Sequence, residues 1–145
     1  MTIIVDANII GKLFLEETDS ATARGFLAMV VQHKTPLYAP ALLAFEVYAI
    51  GIHHGLEVNI PQITMNKLTS AVLTLIEPNA ALWQRAYAMA QTGNKKAGYP
   101  SLQDCLYHAL AIETGGVFIT ADKRHLAKTA SFGHAVHLHD WQGLF

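Results

Sequence analysis

The chain has 145 residues, of which 52% are hydrophobic and 14% charged, and its formal net charge is −1 at pH 7. That length suits one domain over residues 1–145 with a core of its own, and no apolar run approaches the roughly 18 residues of a membrane span. The slight negative charge argues weakly against a nucleic-acid partner, and a charged share below the usual value of roughly 25% predicts a protein–protein interface.

The location is inferred from the N-terminus and the cysteine count. No basic segment precedes the first apolar stretch, so a signal peptide is not expected there. Cys105 is the only cysteine, which excludes an internal disulfide and fits an intracellular protein. We therefore expect a cytoplasmic protein without a membrane segment.

Short apolar runs alternate with helical segments. The predicted elements in chain order are a strand at Thr2–Val5, a helix near Ser20–Gln32, a strand at Pro36–Ala39, helices near Pro40–Ile52 and Met65–Ala71, a strand at Leu73–Ile76, helices near Asn79–Gln91 and Ser101–Glu113, a strand at Gly116–Ile119, a helix near Asp122–Thr129 and a strand at Ala135–His139. The strands are apolar on both sides, as in a parallel sheet covered on both faces. We expect a three-layer α/β domain with a five-stranded, mainly parallel sheet.

Four acidic residues fall where this topology would bring them to one end of the sheet. Asp6 and Asp122 directly follow the first and fourth predicted strands. Glu46 lies about two turns into the helix after the second strand, and Asp104 lies in the first turn of the helix before the fourth. Because strands end and connecting helices begin at the same edge, the four carboxylates are expected to converge where α/β sheets bind ligands.

Each acid except Glu46 also has a purely structural explanation. Asp122 could cap the helix that follows it, Asp6 could terminate a turn, and Asp104 has the capping-box spacing with Ser101. Glu46 is different, because it lies in an apolar helix with no Lys or Arg within a turn on either side. A buried carboxylate without a partner is costly, so Glu46 requires one.

Convergence of four acids would imply a bound cation or altered protonation. Two carboxylates about 4 Å apart repel by roughly 4 kcal/mol at an effective dielectric near 20. Several such pairs would consume much of a domain's stability of roughly 5–15 kcal/mol. Oxygen ligands favour Mg²⁺ or Mn²⁺ over zinc, and Asn8 and Thr120 could add neutral oxygens or orient the carboxylates.

Four segments in this order resemble the PIN domain family, and within it the VapC ribonuclease toxins of toxin–antitoxin pairs. They are "VDANI", "PALLAFEVYA", "YPSLQDCLYHALA" and "FITADKRHL". The resemblance covers essentially the whole chain and implies a metal-dependent endoribonuclease that cuts single-stranded or looped RNA. It implies a homodimer and a small antitoxin protein that blocks the site. The implied metal-binding and catalytic residues are Asp6, Glu46, Asp104 and Asp122, supported by Asn8 and Thr120.

Other polar residues have more than one interpretation. Four basic residues flank the predicted site and could contact a polyanionic substrate or be solvated surface: Lys95, Lys96, Lys123 and Arg124. The run from His134 to Asp140 could be a transition-metal site, but a strand with alternating inward and outward side chains explains it fully. The acids at 16, 17 and 19 are interpreted as solvated surface.

Two further functions remain open. The same fold could be a non-catalytic module that binds RNA or a protein with its acids free of metal. A phospho-acceptor signalling domain also collects acids at this edge, but it requires an acid pair after the first strand. Here a single acid, Asp6, follows that strand.

Overall fold

The computed structural model describes residues 1–145 as a five-stranded, wholly parallel sheet with helices on its faces. The strands, in the spatial order β3-β2-β1-β4-β5, are β1 (Ile3–Val5), β2 (Leu37–Pro40), β3 (Leu73–Ile76), β4 (Val117–Thr120) and β5 (Ala135–His137). The α-helices are α1 (Ala7–Gly11), α2 (Ser20–Gln32), α3 (Leu42–His53), α4 (Asn59–Ala71), α5 (Ala80–Ala90), α6 (Leu102–Glu113) and α7 (Lys123–Lys128). Short 3₁₀ helices lie at Ala130–Phe132 and Leu138–Leu144.

The predicted α/β architecture is confirmed, and the sheet is parallel throughout. The predicted last strand extends too far. It ends at His137 because the chain turns into a 3₁₀ helix at Leu138, whose side chain is buried. Helix α1 was not predicted, since its five residues continue the apolar pattern of β1.

The order of the strands defines where a ligand site belongs. The chain passes from β1 to β2 and β3 on one side, then returns to add β4 and β5 on the other side of β1. Helix α6 packs on β1, β2 and β4, whereas α3 packs on β2, α1 and α4. Strand order therefore reverses between β1 and β4, and α/β sheets bind ligands beyond the carboxyl ends of the strands at such a point.

The central strand pair is closely fitted. The three residues of β1 are fully buried, and Ile3 pairs with Val117 of β4. A Cβ atom at Gly116, just before β4, would lie 2.2 Å from the carbonyl oxygen of Thr2, so only glycine fits there. None of the helices combines the length and the apolar character required to cross a bilayer.

Candidate active site

Asp6 is held at the end of β1 by two hydrogen bonds. The backbone N–H of Asn8 donates to Oδ1 at 2.8 Å, which makes Asp6 the N-cap of α1. The hydroxyl of Thr120, at the end of β4, donates to Oδ2 at 2.8 Å. Burial raises the pKa of Asp6 from 3.8 to about 6; these hydrogen bonds lower it, and the charges of Asp104 and Glu46 raise it.

Glu46 finds its partner on another helix. The hydroxyl of Tyr107, on α6, donates to Oε1 of Glu46 at 2.5 Å. The pKa of Glu46 is raised by burial, lowered by this hydrogen bond and raised by the charge of Asp104. Burial and the contact with Glu46 raise the pKa of Tyr107, so the phenol stays a neutral donor. The ring of Tyr107 is buried and stacks on Phe118 with centroids 5.8 Å apart.

The sequence analysis missed Tyr107, although a signal for it exists. Tyr107 follows Asp104 by three residues, so the two side chains lie on the same face of α6. The sequence of its own helix contains no Lys or Arg within a turn of Glu46. The hydroxyl comes from a residue 61 positions away in the chain.

Asp104 is both the hydrogen-bond partner of the N-cap residue Ser101 and a member of the acidic group. Its backbone N–H donates to Oγ of Ser101 at 3.1 Å, and the Ser101 hydroxyl donates back to Oδ2 at 2.9 Å. Burial raises the pKa of Asp104; Ser101 lowers it, the charge of Asp122 raises it and Lys128 lowers it. The pairing with Ser101 that the capping-box spacing predicted is present, but Ser101 is the N-cap, and the Asp104 carboxylate accepts from its hydroxyl and not from a backbone N–H. This pairing does not exclude a functional role.

Asp122 caps α7 and is connected to Asp6 through one hydroxyl group. Its Oδ1 accepts the backbone N–H groups of Arg124 at 2.9 Å and His125 at 3.2 Å. Its own backbone N–H donates to Oγ1 of Thr120 at 3.1 Å, and that hydroxyl donates to Asp6. Thr120 thus fixes the ends of β1 and β4 relative to each other.

The four predicted acids form an electrostatically connected group. Glu46 and Asp104 each raise the pKa of Asp6, and Asp122 raises that of Asp104. No three His, Cys, Asp or Glu side chains have the spacing of a fully protein-coordinated metal site. The oxygen-only set still fits Mg²⁺, which keeps several waters and is bound through one or two carboxylates. It lacks the nitrogen and sulfur ligands that zinc sites in proteins commonly use.

A groove of about 1060 Å³ adjoins this group, and we call it the acidic groove. Of the four predicted acids, Glu46 and Asp122 line it, whereas Asp6 and Asp104 lie outside the lining. Its lining includes Asn8, Glu46, Asp122 and Lys123. Among the four predicted substrate-contact residues, only Lys123 lines the groove. The others lie outside the lining: Lys95, Lys96 and Arg124.

A lysine that the sequence analysis did not consider lies on the groove wall. Lys12 is 6% exposed, and its Nζ lies 3.2 Å from Asp19 and 3.5 Å from Glu17. These two acids are therefore ion-paired groove residues and not simply solvated surface. The pairing explains how a lysine can be buried, since an isolated buried ammonium would be costly.

The histidine-rich run at the end of the chain is not arranged as a metal cluster. Nδ1 of His134 bonds the carbonyl of Gly116 at 2.9 Å, and the backbone N–H of His139 donates to Nδ1 of His137 at 3.1 Å. Separately, Nδ1 of His108 and Nε2 of His125 form a buried hydrogen bond at 3.0 Å. Burial lowers the pKa of His125 to about 4 and also lowers that of His108, so both rings are neutral packing residues.

The geometry defines an α/β protein with several carboxylates gathered where the strand order of a parallel sheet reverses. A sequence model described as PIN domain matches residues 3–131, and the chain belongs to this family. PIN domains are generally nucleases. No curated protein matches the chain in sequence.

Two solved structures share the fold. VapBC2 from Rickettsia felis, bound to a DNA fragment from their promoter, is 13% identical with a TM-score of 0.68, and the match covers 94% of this chain and 97% of that one. FitAcB from Neisseria gonorrhoeae is 16% identical with a TM-score of 0.61, and the match covers 94% and 98%. At these identities the likeness establishes the fold alone.

Proposed function

We propose that this protein is a Mg²⁺- or Mn²⁺-dependent endoribonuclease and the toxin of a type II toxin–antitoxin pair. The observation that carries the proposal is the group of four predicted acids at the carboxyl edge of β1 and β4. Burial raises the pKa of Asp6, Glu46 and Asp104, and the charges of neighbouring acids in the group raise these pKa values further. Raised carboxylate pKa values at a groove mark a functional site, because folding alone gains nothing from gathering like charges. Membership of a family whose members are generally nucleases supports the class of reaction.

The proposed metal-binding residues are Asp6, Glu46, Asp104 and Asp122. A divalent cation bound there would lower the pKa of a water and stabilise the oxygen that leaves the phosphodiester. The protein's own part is to keep the carboxylates oriented. Thr120 and the backbone of Asn8 fix both oxygens of Asp6, and Tyr107 donates to Oε1 of Glu46, which leaves Oε2 to bind the cation directly or through a water.

A small antitoxin and a second copy of the chain are the proposed partners in the cytoplasm. An apolar groove of about 620 Å³ between α2 and α4 is lined by Leu27, Val31 and Ile63, with Arg24 and Lys67 at its side. An amphipathic acidic segment of an antitoxin would bury these three apolar side chains and form ion pairs with Arg24 and Lys67. The solved relative from Rickettsia felis is a VapBC2 complex, which supports a partner of this kind.

The homodimer is tested by the mass of the protein in solution. On α5, Trp83 and Tyr87 are 47% and 60% exposed and lie one turn apart, which suits a contact with a second copy. Light scattering at micromolar concentration should give twice the 15.8 kDa chain mass. A mass of one chain with no partner present would contradict the dimer.

The function is tested with an unstructured RNA and a duplex of the same sequence. With Mg²⁺ or Mn²⁺, the protein should cut the single strand internally, and a chelator should stop the reaction. RNA that is bound but never cut, with either metal, would favour the non-catalytic interaction module. Neither binding nor cleavage of RNA would refute the nuclease and would leave only the protein-binding form of the module.

A further inference from the structure

The acidic groove offers little fixed positive charge to an RNA strand. Its lining contains two lysines and four acids, which are Lys12, Lys123, Glu17, Asp19, Glu46 and Asp122. Lys12 is already paired with Glu17 and Asp19. Phosphates away from a bound cation would therefore meet net repulsion along the walls. An RNA strand in this groove requires an attraction that does not depend on phosphate charge.

Exposed rings supply such an attraction on the α3 side of the groove. Phe45 is 72% exposed although it is a large apolar side chain, and it lines the groove together with Ala49 and His53. These residues recur every four positions, so they share one face of α3. Most of the Phe45 side chain is therefore open to solvent.

A second pair of rings lies on the β5 side of the groove. The imidazoles of His137 and His139 stack with centroids 4.8 Å apart and an interplanar angle of 17°. Nδ1 of His137 accepts the backbone N–H of His139, which fixes the His137 ring, and the His139 ring is exposed. The pair is a preformed aromatic surface.

The strand order puts the acids between these two sets of rings. Helix α3 follows β2, and the histidine pair lies at the end of β5, whereas Asp6 and Asp122 follow β1 and β4, the two strands between them. Three strand spacings of about 4.8 Å separate β2 from β5, which is about 14 Å. A strand crossing the acids would therefore pass rings on both sides.

We propose that Phe45, His53, His137 and His139 form two base-stacking walls that hold unpaired nucleobases on either side of the phosphodiester at the acids. The inference rests on the proposed function for its substrate class and adds the reason for single-strand selectivity. Unpaired bases stack on Phe and His rings, whereas bases in a duplex are already stacked on each other.

The test uses short single-stranded RNAs that carry 2-aminopurine at one position, mixed with protein in chelator so that no metal-dependent cleavage occurs. Fluorescence of 2-aminopurine falls when the base stacks on an aromatic ring. Phe45→Ala and His139→Ala should each weaken binding about fivefold or more, the equivalent of the lower limit of roughly 1 kcal/mol for one stacked base. His139→Phe keeps a ring and should retain binding and quenching.

The matched control is Tyr99→Ala, which removes a ring that is 65% exposed and lies outside the groove lining, and it should leave RNA binding and quenching unchanged. The walls are refuted if His139→Phe loses binding as His139→Ala does, or if the duplex binds as tightly as the single strand. They are also refuted if Phe45→Ala halves the particle mass in light scattering and leaves RNA binding unchanged, because Phe45 would then contact a second copy of the chain and not a base. Ring-dependent binding without cleavage in Mg²⁺ or Mn²⁺ would support the walls and remove the nuclease function.

Discussion

Replacing Asp6 by Asn should make the metal-free protein more stable at pH 8 and less stable at pH 4. The pKa of Asp6 rises from 3.8 to about 6 on folding, which corresponds to about 3 kcal/mol. The folded state thus binds the proton more tightly than the unfolded chain. This contribution lowers wild-type stability progressively as pH rises from about 4 to about 6 and is constant above that window.

The stability gained by Asp6→Asn is smaller than the free energy that corresponds to the pKa change, because Asn cannot form both hydrogen bonds of the carboxylate. Its Oδ1 still accepts from the Asn8 N–H, but its amide nitrogen faces the Thr120 hydroxyl, which donates to the acid in the wild type. A lost hydrogen bond costs about 1 kcal/mol. Asp6→Asn should therefore gain about 2 kcal/mol at pH 8 and lose about 1 kcal/mol at pH 4, where the wild-type acid is protonated.

The assay is urea unfolding of both proteins in chelator at intervals from pH 4 to pH 8. Glu57→Gln is the matched control, since that acid is exposed and its replacement should leave stability nearly unchanged at every pH. A constant difference between wild type and Asp6→Asn across the range would refute the reasoning. It would mean that the proton affinity of Asp6 is the same in both states.

Two further substitutions test the parts that position the site. Tyr107→Phe should cost about 1–2 kcal/mol of stability, because it removes the 2.5 Å hydrogen bond to Glu46. It should also weaken Mg²⁺ binding measured by calorimetry in the absence of RNA; unchanged affinity would show that Tyr107 does not orient the carboxylate. Gly116→Ala should destabilise the fold by about 2–4 kcal/mol in chemical denaturation, because its Cβ would overlap the Thr2 carbonyl at 2.2 Å. A change of less than about 0.5 kcal/mol, the usual size for a surface substitution, would show that β1 and β4 move apart at little cost.

The sheet could be predicted from the sequence because its strands are buried on both faces. A parallel sheet of this kind has apolar runs bounded by glycine, proline and helix-capping residues, and such signals are local. Strand Leu73–Ile76 and helix Ser20–Gln32 were predicted with the bounds that the structure has. The alternation of strands and helices also predicted which end of the sheet would collect Asp6 and Asp122.

The details of the site depend on contacts between residues far apart in the chain, which a local pattern does not contain. The hydroxyl for Glu46 comes from α6, and the ion pairs of Lys12 come from the turn that leads into α2. The rings on α3 and after β5 could not be assigned to one groove without the strand order. In sequence, Phe45 is one more apolar residue in an apolar helix.

The central claim is that the acids bind a metal ion for RNA cleavage, and Asp104 tests it most directly. Asp104→Asn keeps a side-chain oxygen that can accept from the Ser101 hydroxyl but removes a charge. Ser101→Ala is the matched variant, since it removes both hydrogen bonds of the cap and keeps the carboxylate.

The measurement is the rate of cleavage of an unstructured RNA in Mg²⁺ by wild type, Asp104→Asn and Ser101→Ala, with each melting temperature recorded with and without Mg²⁺. The account predicts that Asp104→Asn melts no lower than wild type in chelator, gains no stability from Mg²⁺ and loses cleavage by orders of magnitude. Ser101→Ala should lose stability of about 1 kcal/mol and still cut. Full cleavage by Asp104→Asn would contradict the account.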